Sequence, residues 1–147
     1  MFSALHLPLM AFLAVLFALR VLAQLVQAVY EVPFLPPFAA WQGSGLPYPV
    51  LLGSQVVILV LVGLALGQVK RGTISPRPWQ YLGCFALGGV YFTVMAFRLV
   101  AGLTFLAENE WFASGIPALF HIILASLILT FGHYLLTQGN GKGRKSG

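Results

Sequence analysis

The sequence predicts an all-α integral membrane protein, a bundle of four transmembrane helices. Three observations carry that prediction. Only 7% of the 147 residues are charged, against 59% that are hydrophobic. A soluble domain carries about 25% charge. The mean hydropathy is +0.91. Four apolar runs each approach or exceed the ~20 residues that a bilayer core requires.

The first run covers about residues 7–30. The chain opens on "MFSALHLPLM", which lacks the basic start of a signal peptide, and the run is longer than a signal h-region. The second covers about 50–69. The third, about 79–106, exceeds the bilayer thickness and is expected to tilt or project. The fourth covers about 112–136. Residues 1–137 thus form one transmembrane domain. Residues 138–147, rich in Gly and basic side chains, are expected to form a disordered tail.

The connections fix an expected orientation. Lys70, Arg71 and Arg77 lie between the second and third runs, and Lys142, Arg144 and Lys145 lie in the tail. The other connections hold no Lys or Arg, and they hold Glu31, Glu108 and Glu110. Positive charge stays on the cytoplasmic side, so both termini are expected there, as in a bacterial inner-membrane protein. The basic residues could also touch anionic lipid. They suit topology better than nucleic acid, because no soluble domain presents them.

The connection between the first two runs is "EVPFLPPFAAWQGSGLPYP". Prolines 33, 36, 37, 47 and 49 exclude a regular helix through it. Phe34, Phe38, Trp41 and Tyr48 suit a membrane interface. The expectation is a stiff cap on the outer end of the bundle. In the last connection, Trp111 and Phe112 read as interface anchors, and Ser114 precedes Pro117 as a helix start would. Trp79 and Tyr81 anchor the other end of the third run. Gly63 and Gly67, four apart, and Gly83, Gly88 and Gly89 are expected to let helices approach within the bundle. The lone Cys84 excludes an internal disulfide and reads as a small buried hydrophobe. No internal repeat suggests transporter-like symmetry.

The candidate site lies in the outer half. At 100° per residue, Gln24, Gln27 and Glu31 fall within about 40° of Arg20. A lone arginine facing lipid near the bilayer centre costs at least ~2.5–3.5 kcal/mol, so this face must meet protein or water. Arg98 and Tyr91 share one face of the third helix, seven residues apart. His121 lies in the outer half of the fourth helix, and Ser54 and Gln55 lie in the outer turns of the second. Two arginines face one helix-borne glutamate, unless Glu108 or Glu110 folds back. The expected result is a cationic pocket formed by Arg20, Gln24, Gln27, Glu31, Gln55, Tyr91, Arg98 and His121. Such a pocket suits an anionic or amphipathic ligand, a lipid headgroup or a quinone-like molecule.

Two other readings compete with this one. The polar row could be interhelical glue, at ~0.6 kcal/mol per contact, in an accessory or assembly subunit of a larger membrane complex or in a homo-oligomer. A haem could be held by His6 and His133, both near the cytoplasmic ends of their helices. No cluster of His and carboxylates suggests another metal. No phosphate-cradling loop, nucleophile elbow or zinc signature suggests an enzyme class. His121, beside Tyr91 and Glu31, is the one general acid–base candidate, although a hydrogen-bonded core histidine is the plainer reading.

Overall fold

The computed structural model describes residues 3–43, 45–109 and 113–143. Among them the chain is all helical. Helix α1 is Ser3–Val29, α2 the single turn Phe38–Trp41, α3 Tyr48–Arg71, α4 Pro78–Leu103 and α5 Gly115–Gly143. Four of these, all but α2, are long and apolar enough to cross a membrane.

The helix boundaries follow local chemistry. Helix α3 starts behind Pro47 and carries Pro49 in its first turn, where a missing N–H costs nothing. It ends at Gly72, whose φ of 63° is the left-handed cap that glycine adopts readily. Pro78 opens α4, and the Gln80 side chain accepts the Arg77 N–H at 2.8 Å. Two expected boundaries are corrected. The third helix stops at Leu103, because Thr104 leaves helical geometry (φ −122°, ψ −93°). The last helix continues to Gly143, into the stretch assigned to the tail. The remainder of that tail lies outside the described residues, as do the expected anchors Trp111 and Phe112, and Glu110.

Helix α5 packs against both α4 and α1, and α1 packs against α3. Helix α3 finds its main neighbour in α1 alone and is the least buried of the four spans. An apolar core of Met10, Val62, Val69, Leu127, Tyr134 and Leu135 fills the half nearer the basic connection. On α1, Phe12, Val15, Leu19, Leu22 and Val26 form an exposed apolar stripe. The polar row lies on another side of the same helix. Arg20, Gln24 and Gln27 are all buried, as the cost of facing lipid requires.

The glycines divide. A Cβ on Gly88 would come within 2.9 Å of the Leu129 Cγ, so this glycine sets the close approach of α4 and α5. Gly132, not singled out in the sequence, does the same against Cys84, at 2.7 Å. Gly63, Gly67, Gly83 and Gly89 would meet nothing within 4 Å. The expectation that they serve packing inside the bundle is therefore corrected: their faces are open in this chain.

Candidate functional site

The Pro-rich connection reaches into one end of the bundle. Prolines 36 and 37 turn the chain so that the short α2 points inward. Trp41, expected at the membrane interface, is instead only 6% exposed. Its indole N–H donates to the Pro36 carbonyl at 3.0 Å, so the ring can be buried with its polar atom satisfied. The ring stacks on Phe120 of α5, centroids 6.5 Å apart at 28°. Gly43 follows, and a Cβ there would strike Pro117 at 2.5 Å. Only a residue without a side chain lets this strand of loop lie against the start of α5. Phe34, by contrast, is 90% exposed and suits an interface.

Beneath this plug sits Arg20. It is nine residues before the end of α1, about 14 Å along the axis at 1.5 Å per residue. That is close to the middle of a ~30 Å hydrocarbon core. Its Nη2 donates to the Trp41 carbonyl at 3.1 Å, and its guanidinium lies 5.9 Å from the Phe120 ring centroid. A carbonyl dipole and an aromatic face attract a cation, but neither neutralises it. Glu31, expected to balance the charge, is exposed and lines a separate groove with Gln27, Pro33 and Phe38. The Gln27 Oε1 accepts the Val32 N–H at 3.1 Å, so Gln27 closes the end of α1.

A cavity of about 100 Å³ adjoins Arg20. Phe17 and Arg20 come from α1; Leu51, Ser54, Gln55 and Ile58 from α3; Tyr91 from α4; Phe120, His121 and Leu124 from α5. The eleven-residue spacing of Glu31 and Arg20 made their pairing remote. Of the row, Arg20 instead faces a small chamber shared by four helices. The Gln55 Nε2 donates to the Gln24 Oε1 at 3.3 Å. This leaves the Gln24 Nε2 and the Gln55 Oε1 buried without a partner, together with the Arg20 Nε and the Tyr48 hydroxyl. Buried polar atoms without partners are rare in folded proteins and call for a water, ion or ligand.

The Tyr91 hydroxyl makes no hydrogen bond among the described residues, and its ring meets His121 edge-on, centroids 5.6 Å apart. The His121 Nδ1–H donates to the Pro117 carbonyl, which leaves Nε2 as the variable atom. Ser54 spends its proton on the Leu51 carbonyl at 2.7 Å. Among the lining residues, donors not already committed therefore come from Arg20 and Tyr91, and an oxygen-bearing anion is the complementary group.

The eight sequence-predicted residues thus separate into three places. Arg20, Gln55, Tyr91 and His121 line the cavity, with Gln24 bonded to it through Gln55. Gln27 and Glu31 lie at the end of α1. Arg98 is buried on α4, where its Nη2 donates to the Ser114 Oγ at 2.7 Å, and it lies close to Gly43. Arg98 thus braces the junction of the plug with α5. Sequence reasoning missed the roles of Phe17, Phe120 and Trp41. Their signal was faint: a buried aromatic and a lipid-facing one look alike in an apolar run.

His6 and His133 do meet. The His6 Nε2 and the His133 Nδ1 share a hydrogen bond at 2.7 Å, and Tyr134 lies edge-on to His6, centroids 5.8 Å apart. This geometry does not fit a haem ligated by both. Metal–imidazole bonds of about 2.0 Å would set the two nitrogens about 4 Å apart. The macrocycle would also have to enter between α1 and α5, which pack directly on each other. Among the described residues, no group of three or more His, Cys, Asp or Glu could hold a metal ion.

No family model, no curated protein and no solved structure matches this chain, so its sequence and geometry carry the functional argument.

Proposed function

We propose that this is a membrane-embedded binding protein for an anionic or amphipathic ligand, held at Arg20 beneath the Trp41 plug. The observation that carries the reading is a buried guanidinium with one buried unpartnered nitrogen beside a cavity, and no carboxylate bonded to it among the described residues. A cation near the bilayer centre costs several kcal/mol when left alone. Structural glue would be expected to satisfy its polar atoms within the chain, and here Arg20, Gln24 and Gln55 do not. Arg20 supplies charge and direction, Tyr91 and the Gln24–Gln55 pair orient the ligand's oxygens, and Phe17, Phe120 and Leu124 exclude water.

The positions of the basic residues support the orientation that goes with this reading. Both termini and the 72–77 connection lie in the cytoplasm, the Trp41 plug faces the opposite side, and the membrane is the plasma (inner) membrane of a bacterium.

Native mass spectrometry of the gently extracted protein tests the reading. A discrete added mass is expected on wild type and absent from Arg20→Gln, with the variant still folded. A folded Arg20→Gln that keeps the mass, or a wild type that carries none, overturns it. The second reading, a subunit of a larger complex, is favoured by one observation only. Helix α3 is sparsely packed, and its Gly63 and Gly67 face is open. A co-purifying partner protein with no small molecule would select it.

A further inference from the structure

The cavity's walls bear on how a ligand reaches it and on what kind of molecule that is. Access from the aqueous end is blocked by the plug. Trp41 is tied to Arg20, Phe120 and Pro36, and Gly43 lies against Pro117, behind which Arg98 is held to Ser114. The opposite end is filled by the apolar core around Met10, Leu127 and Leu135. The side is different. Helices α3 and α4 both line the cavity but do not pack extensively on each other. Ser54, which lines the cavity, is exposed on the surface, and Gly53 beside it has open space around it. The large exposed side chains beside it, Val50, Val56 and Val57, are apolar.

Size narrows the occupant. Pockets that enclose a drug-sized ligand span roughly 300–1,000 Å³, and this chamber, at about 100 Å³, is several-fold smaller. A carboxylate or a phosphomonoester fits that space. A diacyl phospholipid headgroup with its glycerol does not, and neither does a substituted quinone ring together with its tail. The remainder of any larger ligand must leave through the side opening, across Leu51 and Ile58.

We propose that the ligand is a single-chain amphiphile that enters laterally from the lipid phase between α3 and α4. Its compact oxyanion sits at Arg20 and its hydrocarbon chain remains among the lipid-facing side chains of α3. This rests on the Arg20 reading above and names its ligand class. The Tyr91 O–H and the Arg20 guanidinium donate to the oxyanion, and the apolar chain follows the exposed face of α3. The bilayer concentrates such a molecule at the opening, whereas a water-soluble anion would have to pass the plug.

The test uses the full chain in phosphatidylcholine nanodiscs, with ligand retention read by native mass spectrometry. Tetradecanoate and tetradecyl phosphate are compared with tetradecanol, acetate and inorganic phosphate. At least one 14-carbon anion is expected to bind ten-fold or more tightly than both tetradecanol and its short counterpart, and which one it is identifies the oxyanion. Ser54→Trp, which fills the opening, should lower that binding at least ten-fold. Gly63→Trp, the same bulk at an open position on the opposite side of α3, should leave it unchanged. Acetate or phosphate binding as tightly as its long-chain relative, and strengthened by Trp41→Ala, overturns lateral entry while leaving the Arg20 site standing. Binding of tetradecanol equal to that of the anions overturns the charge argument. Binding unaffected by Arg20→Gln removes the site itself. Should Ser54→Trp fail to fold, Ser54→Leu makes the same comparison.

Discussion

The Gln24–Gln55 pair gives a decisive test of whether the buried row acts as one interacting unit. Gln24 is 0% exposed and Gln55 4%, and one hydrogen bond of 3.3 Å joins them. Replacing Gln55 by Leu removes the partner of the Gln24 Oε1 and leaves both ends of that amide unpaired. In water-soluble proteins an orphaned buried group costs about 1–3 kcal/mol. Within a bilayer the measured worth of interhelical hydrogen bonds averages ~0.6 kcal/mol, because the unfolded helices find partners too. The bond here is long, but both groups are fully desolvated, so each single substitution should cost about 1 kcal/mol. The double replacement, Gln24→Met with Gln55→Leu, deletes both partners and the two unpartnered atoms with them. Its stability should return to near wild type. The cycle then shows a coupling of about 1–2 kcal/mol, within the range for residues in contact. Reversible denaturant unfolding in mixed micelles, followed by helical circular dichroism, measures it. Additive singles, with coupling under about 0.3 kcal/mol, would refute the claim that these amides share one buried bond. A ligand that occupies the chamber should increase the cost of the singles when present.

Two further predictions address the scaffold. Gly88→Ala places a methyl 2.9 Å from the Leu129 Cγ and 3.2 Å from the Ile128 Cγ2, so it should destabilise by about 1–3 kcal/mol, whereas Gly63→Ala should change stability by less than about 0.5 kcal/mol; thermal melts of the two variants check this, and equal melts would mean that α4 and α5 are not closely packed. For orientation, in a Cys84→Ser background, Thr73→Cys should react with an impermeant maleimide only after cells are opened, and Gly45→Cys in intact cells; the reverse pattern would invert the topology.

Much of the fold was legible in the sequence for a simple reason. A bilayer imposes one length and one composition on whatever crosses it, and every backbone polar group must be satisfied inside its own helix. Four spans could therefore be counted without any contact being known. The same physics made the burial of Arg20, Gln24 and Gln27 legible, since charge and amide groups cannot face hydrocarbon cheaply. The helix ends were less so. The stop at Leu103 lies inside an apolar run, and the continuation of α5 to Gly143 runs through glycines that composition assigns to a tail.

What the sequence by itself determined was that the buried polar row must have company; what only the tertiary structure decided was which company. Spacing along one helix places Glu31 and Arg20 on one face, yet separates them by about 16 Å. Whether a second helix brings a carboxylate, a carbonyl or a cavity to the arginine depends on crossings that no local pattern encodes. Packing brought the Trp41 carbonyl and the Phe120 ring to it, brought the Gln55 amide to Gln24, and sent Arg98 to Ser114 and the loop at Gly43. Lipid-facing and protein-facing apolar residues have the same chemistry in a membrane, so the sequence could not tell the buried Trp41 from the exposed Phe34. Only the positions of the neighbouring helices separate them.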